Sequence, residues 1–194
     1  MTKFQLYFAM LLSSFPPFVQ GDSMKRPDIK LNPSPRMRYE ITAVVEGAPS
    51  HFEAVEGHAD FKVTNEDCVP LTPITGATIV PEKKIPLTYD HVGENEYRAI
   101  VFLDQLQDED YFGRGTCHWS VVAASIDLHH GATSFSPAIY HDDIVSQKKV
   151  VKYFSIKSYN GNGSGIDIGA NVPTAYNNPS ATFKITLRSA EKLQ

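Results

Sequence analysis

Apolar and polar residues alternate along much of the chain after residue 36, which is the pattern of strands that bury one face. In the first such segment Tyr39, Ile41 and Val45 fall on one side, while Glu40 and Thr42 fall on the other. The same period returns in the ranges 59–64, 85–89, 97–103 and 183–188. These ranges predict a series of antiparallel strands, each with one buried face.

The segment 117–128 differs, because apolar residues occupy both of its faces. Val121 and Ala123 fall on one face, and Ile126 and Leu128 fall on the other. A strand that is covered on both sides has this composition, so the segment predicts a central strand.

Turn signals and one short helical pattern complete the prediction of the fold. Glycine and asparagine mark turns in the ranges 92–95, 130–131 and 160–165. A single helix is predicted over 142–149, with aspartates in its first turn and lysines in its last. Many short strands with few helices predict an all-β, antiparallel sandwich with at most one short helix.

This predicted architecture resembles an immunoglobulin-like sandwich, and the resemblance concerns architecture alone. The chain has two cysteines, Cys68 and Cys117, and a single tryptophan, Trp119. In immunoglobulin domains the buried tryptophan lies between the two cysteines in sequence, whereas Trp119 follows both of them. The residues therefore indicate a class of fold and not a family.

The first 21 residues are typical of a secretory signal peptide. Lys3 supplies a positive start, the apolar run 4–12 is too short to span a bilayer, and Gly21 offers a small residue before a cut at Asp22. The proline-rich range 22–36 predicts an extended leader or linker, and residues 37–194 form a single β domain. We therefore expect an exported protein, periplasmic or extracellular, with no stable membrane insertion.

The two cysteines and the net charge further limit the kinds of protein that fit this sequence. In an oxidising compartment an isolated pair such as Cys68 and Cys117 predicts a disulfide, because a metal site would need two more ligands. Removal of Lys3 with the signal peptide changes the formal net charge from −4 to −5. An acidic chain with scattered basic residues does not favour nucleic acid as a partner.

No catalytic motif emerges from the sequence, and we expect neither enzyme activity nor a cofactor. The one alternative with named residues is a metal site, for which His129, His130, His141 and Asp143 are the candidates. Imidazole and carboxylate groups would suit zinc or copper if the chain folded back at Gly131. The competing interpretation is that these residues are solvated at the ends of two strands.

The segment 105–115 has the composition of a recognition loop. It combines three acids with two aromatic residues and an arginine, and the candidate partner-binding residues are Asp108, Glu109, Asp110, Tyr111, Phe112 and Arg114. Acids steer a basic partner, and aromatic side chains supply buried contact area. The alternative is that Tyr111 and Phe112 pack under the loop as a satellite of the core.

These observations rank three hypotheses on function. The first is an exported protein-binding sandwich, such as an inhibitor or immunity protein that binds the basic cleft of a secreted enzyme. The second is a metal-dependent enzyme or metal carrier that uses the histidine and aspartate cluster. The third is a structural component of the cell envelope.

Overall fold

Two sheets packed against each other make up the fold of the computed structural model, which describes residues 27–73, 75–162 and 164–193. Among the described residues the strand pairs are antiparallel, apart from one short parallel pair at an edge of the second sheet. The all-β sandwich predicted from the sequence is confirmed. The predicted signal peptide, residues 1–21, and the first part of the predicted leader lie outside the described residues. Within the described residues, no helix has the length and hydropathy that a membrane span requires.

The five-stranded sheet has its predicted first and last strands at its centre. Its strands are β1 (Arg38–Glu46), β4 (Asp90–Gly93), β5 (Glu96–Phe102), β9 (Val150–Ser155) and β11 (Thr182–Glu191). Their order is β4, β5, β1, β11 and β9. The N-terminal strand and the C-terminal strand therefore pair with each other, which joins the two ends of the domain in one ladder.

The other sheet is built around the longest strand in the described chain. Its strands are β2 (Ala54–Val63), β3 (Glu82–Pro86), β6 (Trp119–His130), β7 (Thr133–Phe135), β8 (Ala138–Tyr140) and β10 (Gly165–Asp167). The main order is β10, β7, β6, β2 and β3, and β8 pairs with β6 beside β7. β6 is thus an internal strand, as its two apolar faces predicted.

The core lies between the sheets and follows the predicted alternation. β1 contributes Ile41 and Ala43, and β11 contributes Ile185 and Leu187, all fully buried. The end of the core near the start of β11 is aromatic, where Phe135, Phe154, Tyr159 and Phe183 make ring contacts with one another. Rings of this size bury large apolar areas, so this end contributes much of the burial.

Both faces of β6 carry apolar residues because of a β-bulge, which the alternation of residues in the sequence does not reveal. The register between β2 and β6 shifts at one point, because Asp60 lies opposite Ala123 while Phe61 lies opposite Val121. Val122 is the extra residue, and its side chain is exposed. A β-bulge of this kind moves the core face of β6 from odd to even positions.

The range 85–89, predicted as one strand, is divided in the structure. Ile85 and Pro86 are the last residues of β3, residues 87–89 cross between the sheets, and β4 begins at Asp90 in the other sheet. Pro86 has no backbone N–H to donate, and the bond from Leu87 N to the Gly57 carbonyl at 2.8 Å is the last one to β2 before the crossing. Tyr89, which lies in the crossing, donates its hydroxyl to the carbonyl of Ser125 at 3.2 Å.

The predicted helix over 142–149 is shorter in the structure. α1 spans His141–Val145, and Ser146 caps its end. Gln147 has a φ of 52°, a left-handed conformation that stops a helix. Lys148 and Lys149 therefore lie beyond the helix rather than in its last turn.

The predicted disulfide between Cys68 and Cys117 is confirmed, and both cysteines are buried. Cys68 follows β2 and Cys117 precedes β6, so the bond closes the end of a pair of neighbouring strands in one sheet. In immunoglobulin domains the corresponding bond joins the two sheets. The disulfide packs with Val63 and Val69 in a second apolar cluster, called here the disulfide cluster, which Val80, Tyr111, Phe112 and Trp119 flank.

Gly57 in β2 offers a direct test of the packing around the crossing. A Cβ built at this glycine would lie 2.5 Å from the Ser125 carbonyl oxygen and would clash with the edge of the Tyr89 ring at Cε2. We expect Gly57→Ala to lower the free energy of unfolding by about 2–3 kcal/mol, because the packed interior cannot accept the methyl group.

Urea denaturation would measure this loss, with Gly93→Ala as the control. At Gly93 the nearest atom would be the Glu96 Cβ at 3.4 Å, so this change should cost less than about 0.5 kcal/mol. Adding Tyr89→Ala to Gly57→Ala should cost less than the sum of the two single changes. Equal losses at Gly57 and Gly93 would contradict the steric account.

The disulfide should contribute strongly to stability, because it closes a loop with a sequence separation of 49 residues. Replacing Cys68 and Cys117 together with serine should lower the free energy of unfolding by about 2–5 kcal/mol. Chemical denaturation with and without a reducing agent measures the effect. Labelling of either thiol by alkylation in the native, oxidised protein would refute the bond.

Candidate functional site

The candidate site lies at the end of the sandwich where β1 and β6 begin and where β2 and β5 end. The segment 104–118 crosses this end between β5 and β6. Residues 27–36 of the predicted leader lie along it, with Leu31 paired to Leu106 in an antiparallel bridge. The site is therefore built from two segments that the sequence places far apart.

The leader fixes one side of the crossing segment. Asn32 N donates to the Gln105 carbonyl at 2.9 Å, and Gln107 N donates to the Lys30 carbonyl at 3.0 Å. The Lys30 ammonium lies 2.7 Å from the Glu109 carboxylate. Ile29 packs against the core. The leader and the crossing segment therefore form one unit.

Two aspartates organise the backbone around them. The Asp104 carboxylate accepts hydrogen bonds from the backbone N–H groups of Arg36 and Met37, at 2.8 and 2.9 Å. The Asp108 carboxylate accepts from Trp119 N at 2.9 Å and contacts His118 Nδ1 at 2.7 Å. Each acid thus holds the first residues of a strand while keeping its charge near the surface.

Asp110 performs a similar role within the loop itself. Its carboxylate accepts a hydrogen bond from Arg114 N at 2.9 Å. Desolvation acts to raise the pKa of Asp110, but backbone donors from Phe112 to Gly115 outweigh it and hold this pKa below its usual value. The ionised form therefore stabilises the turn, in which Gly113 and Gly115 have φ values of 69° and 105°.

Glu109 is tied to the disulfide through its backbone. Its carbonyl accepts from Cys117 N at 2.9 Å and from Tyr111 N at 3.1 Å. The side-chain oxygen Oε2 is buried and has no hydrogen-bond partner among the described residues, while Oε1 pairs with Lys30. Glu109 is therefore the least accessible of the three acids of the predicted recognition loop.

Tyr111 and Phe112 lie beneath the loop, half-buried against the disulfide cluster. The Tyr111 hydroxyl donates to the Gln107 carbonyl at 2.5 Å, and its ring meets Trp119 edge to face with centroids 6.3 Å apart. This is the satellite arrangement that the sequence analysis gives as the alternative. Arg114, in contrast, is exposed at the tip of the loop.

A cleft of about 400 Å³ opens beside the loop. Its walls come from the leader, the crossing segment, the start of β6 and the start of α1: Asn32, Met37, Leu103, Asp104, Leu106, Gln107, Asp108, Trp119, Ser120 and His141. Leu103 and Leu106 are buried, and Met37 is partly exposed. Four of the ten lining residues are apolar and six are polar, so the cleft offers both apolar surface and hydrogen-bonding groups.

The four candidate metal ligands do not come together. His129 and His130 lie at the end of β6, where the His130 ring stacks on Tyr159 with centroids 4.0 Å apart. His141 lies beside Val122, about 20 Å away along β6 at the usual rise of a strand. Asp143 is near Lys148. Across the described residues, no three histidine, cysteine or acidic side chains are grouped so as to hold a metal ion.

The structure also brings together a polar cluster whose residues are not among the candidates predicted from the sequence. His58 in β2 lies 3.1 Å from Asp127 and 3.0 Å from Ser125 in β6, and 3.4 Å from Asp60. In the sequence this cluster corresponds to polar residues two positions apart on each strand, and Asp60 and Asp127 are the second of each pair. The pairing register that brings His58 opposite Ser125 is a long-range property, which no local pattern contains.

Comparisons with protein-family models, with curated proteins and with solved structures found no match to this chain.

The bonds of Asp110 predict a pH dependence of stability. A carboxyl whose folded pKa lies below its unfolded pKa stabilises the protein above the unfolded value, and this contribution disappears as the pH falls through the folded value. We expect Asp110→Asn to lower the midpoint of thermal unfolding at about pH 7. The difference from the unchanged protein should shrink as the pH falls below the usual carboxyl pKa of about 4.

Thermal unfolding at a series of pH values measures this difference. Glu94→Gln, in the exposed turn between β4 and β5, is the matched control for the loss of one negative charge. An equal difference for Asp110→Asn at every pH would mean that its charge does not hold the loop.

Proposed function

We propose that this chain is an exported protein-binding β-sandwich that recognises a basic surface of another protein through the segment 107–116. An inhibitor or immunity protein of a secreted enzyme is the kind of protein that fits this description. The buried disulfide supports export, because such bonds persist in oxidising compartments.

One observation carries the proposal: the exposed loop is already fixed in its conformation. The leader pairs with one side of it, Cys117 pairs with Glu109 on the other, and Asp110 closes the turn at the tip. Ordering a flexible loop on binding costs free energy, so a loop held in advance binds with less loss.

The charges of the loop support a basic partner. Asp108 and Asp110 are exposed, and the hydrogen bonds that they accept leave their negative charge in place. Acids at the rim of an interface increase the rate of association with a positive surface. Arg114 at the tip adds one positive group that can pair with an acid of the partner.

The aromatic residues have a different role in this proposal from the one expected from the sequence. Tyr111 and Phe112 support the loop from beneath, where they pack on the disulfide cluster. Their truncation should reduce stability before it affects any contact with the partner. The contact surface therefore consists of the exposed charges and the cleft beside them.

A positive charge added to the loop tests the proposal without removing a structural acid. Thr116 is exposed, and its backbone carbonyl accepts a hydrogen bond from the side chain of Asn65. The partner is first isolated by its binding to the unchanged, immobilised protein. Thr116→Lys should slow association with this partner about tenfold at low salt, since it places a positive charge in the acidic loop. Surface plasmon resonance measures the rate.

Asn177→Lys is the matched control, because Asn177 is exposed near the start of β11 at the other end of the sandwich. It adds the same charge and should leave the association rate unchanged. If both variants bind the partner with the rate of the unchanged protein, the segment 107–116 is not the recognition surface.

A further inference from the structure

The cleft beside the loop has a chemistry of its own that is separate from the exposed tip. Two acids, Asp104 and Asp108, are among its lining residues, and neither lysine nor arginine is. His141 is the one basic group of the lining, and its Nδ1 lies 3.1 Å from Asp142. The walls of this cleft therefore disfavour an anionic ligand and favour a cationic one.

The two carboxylates remain able to accept further hydrogen bonds. Each makes two contacts in the structure, from Arg36 N and Met37 N to Asp104, and from Trp119 N and His118 to Asp108. An ionised carboxylate has about four acceptor positions. Each acid can therefore accept an additional N–H donor while it keeps its role in the backbone.

The apolar part of the cleft suits a long side chain rather than an inorganic cation. Leu103, Leu106 and Met37 are among its lining residues, and Met37 is 46% exposed. Lysine and arginine pack their methylene groups on apolar surface while the charged end stays among polar groups. The indole of Trp119 in the wall adds an aromatic surface, which attracts a cation when it lies over the ring.

We infer that this cleft receives a lysine or arginine side chain of the basic partner. The inference rests on the proposed function and adds to it the position at which the partner inserts one residue. Asp104 and Asp108 bind the charged end, while Leu106, Met37 and Trp119 contact the methylene groups. The loop tip then contacts the surface around that residue.

The single tryptophan of the chain makes the cleft directly observable, because all tryptophan fluorescence comes from Trp119. The probes are blocked tripeptides with glycine on either side of arginine, lysine, glutamine or glutamate. The arginine and lysine peptides should produce a saturable change with a dissociation constant of roughly 1 mM. The glutamine and glutamate peptides should produce none. An equal response to all four peptides would overturn the inference.

Gln107 supplies the matched variants. Its backbone N–H and carbonyl are bonded to Lys30 and Tyr111, so a change of its side chain leaves these bonds in place. Gln107→Lys should weaken binding of the arginine peptide at least tenfold, and Gln107→Glu should strengthen it. Thermal unfolding of both variants shows whether they fold. Equal affinity in the two folded variants would overturn the inference.

The chain's own Lys25 and Arg26, just before the described leader, are the competing occupants. In the full chain, replacing both with glutamine should leave the fluorescence and the affinity for the arginine peptide unchanged. A tighter affinity in this variant would mean that the chain fills its own cleft, which overturns the inference.

Binding of the partner to these variants distinguishes the proposed function from the inference on the cleft. If Thr116→Lys slows association with the partner, and Gln107→Lys weakens affinity for both the partner and the arginine peptide, both proposals hold. If Thr116→Lys slows association while Gln107→Lys leaves affinity unchanged, the loop binds the partner and the inference on the cleft fails. If neither variant differs from Asn177→Lys, the proposed function fails, whatever the peptides show.

Discussion

The ladder between β2 and β6, closed by the disulfide, is the constraint on which the rest of the structure depends. β6 is the internal strand of its sheet, and β2 pairs with it along nearly its whole length. At one end Val63 lies opposite Trp119, and the chain continues on both sides to the bonded cysteines. Because that end cannot separate, the crossing segment that leads into Cys117 starts from a fixed point.

Much of the fold follows from the sequence, because a half-buried strand and its alternation have the same physical cause. The alternating apolar residues of β1 and β11 indicate their buried faces, and an isolated cysteine pair indicates a disulfide. The bulge at Val122 could not be predicted, since both faces of β6 are apolar and the shift depends on pairing with β2. Pro86 did offer a signal that the strand ends nearby, because proline has no backbone N–H to donate, but the alternation of apolar residues up to residue 89 concealed this signal.

The candidate site was predictable in location and only partly in detail. The acids of the segment 105–115 are local features, and two of them are exposed as expected. The partial burial of the Tyr111 and Phe112 side chains depends on the disulfide cluster beneath them, which forms from residues distant in sequence. The separation of His129 from His141 depends in the same way on how β8 pairs with β6. Composition cannot specify such distances.

A loop whose acids are also structural has consequences for the kind of complex it can form. Exposed charges mainly increase the rate of association, and salt screens them. The lifetime of a complex depends more on contacts that exclude water, which aromatic side chains often provide. Here Tyr111 and Phe112 already pack half-buried on the disulfide cluster, so only their exposed portions are available for such contacts. At this end of the sandwich the cleft whose lining includes Leu106, Met37 and Trp119 offers apolar surface outside the disulfide cluster, and a partner that fills it would exclude water there.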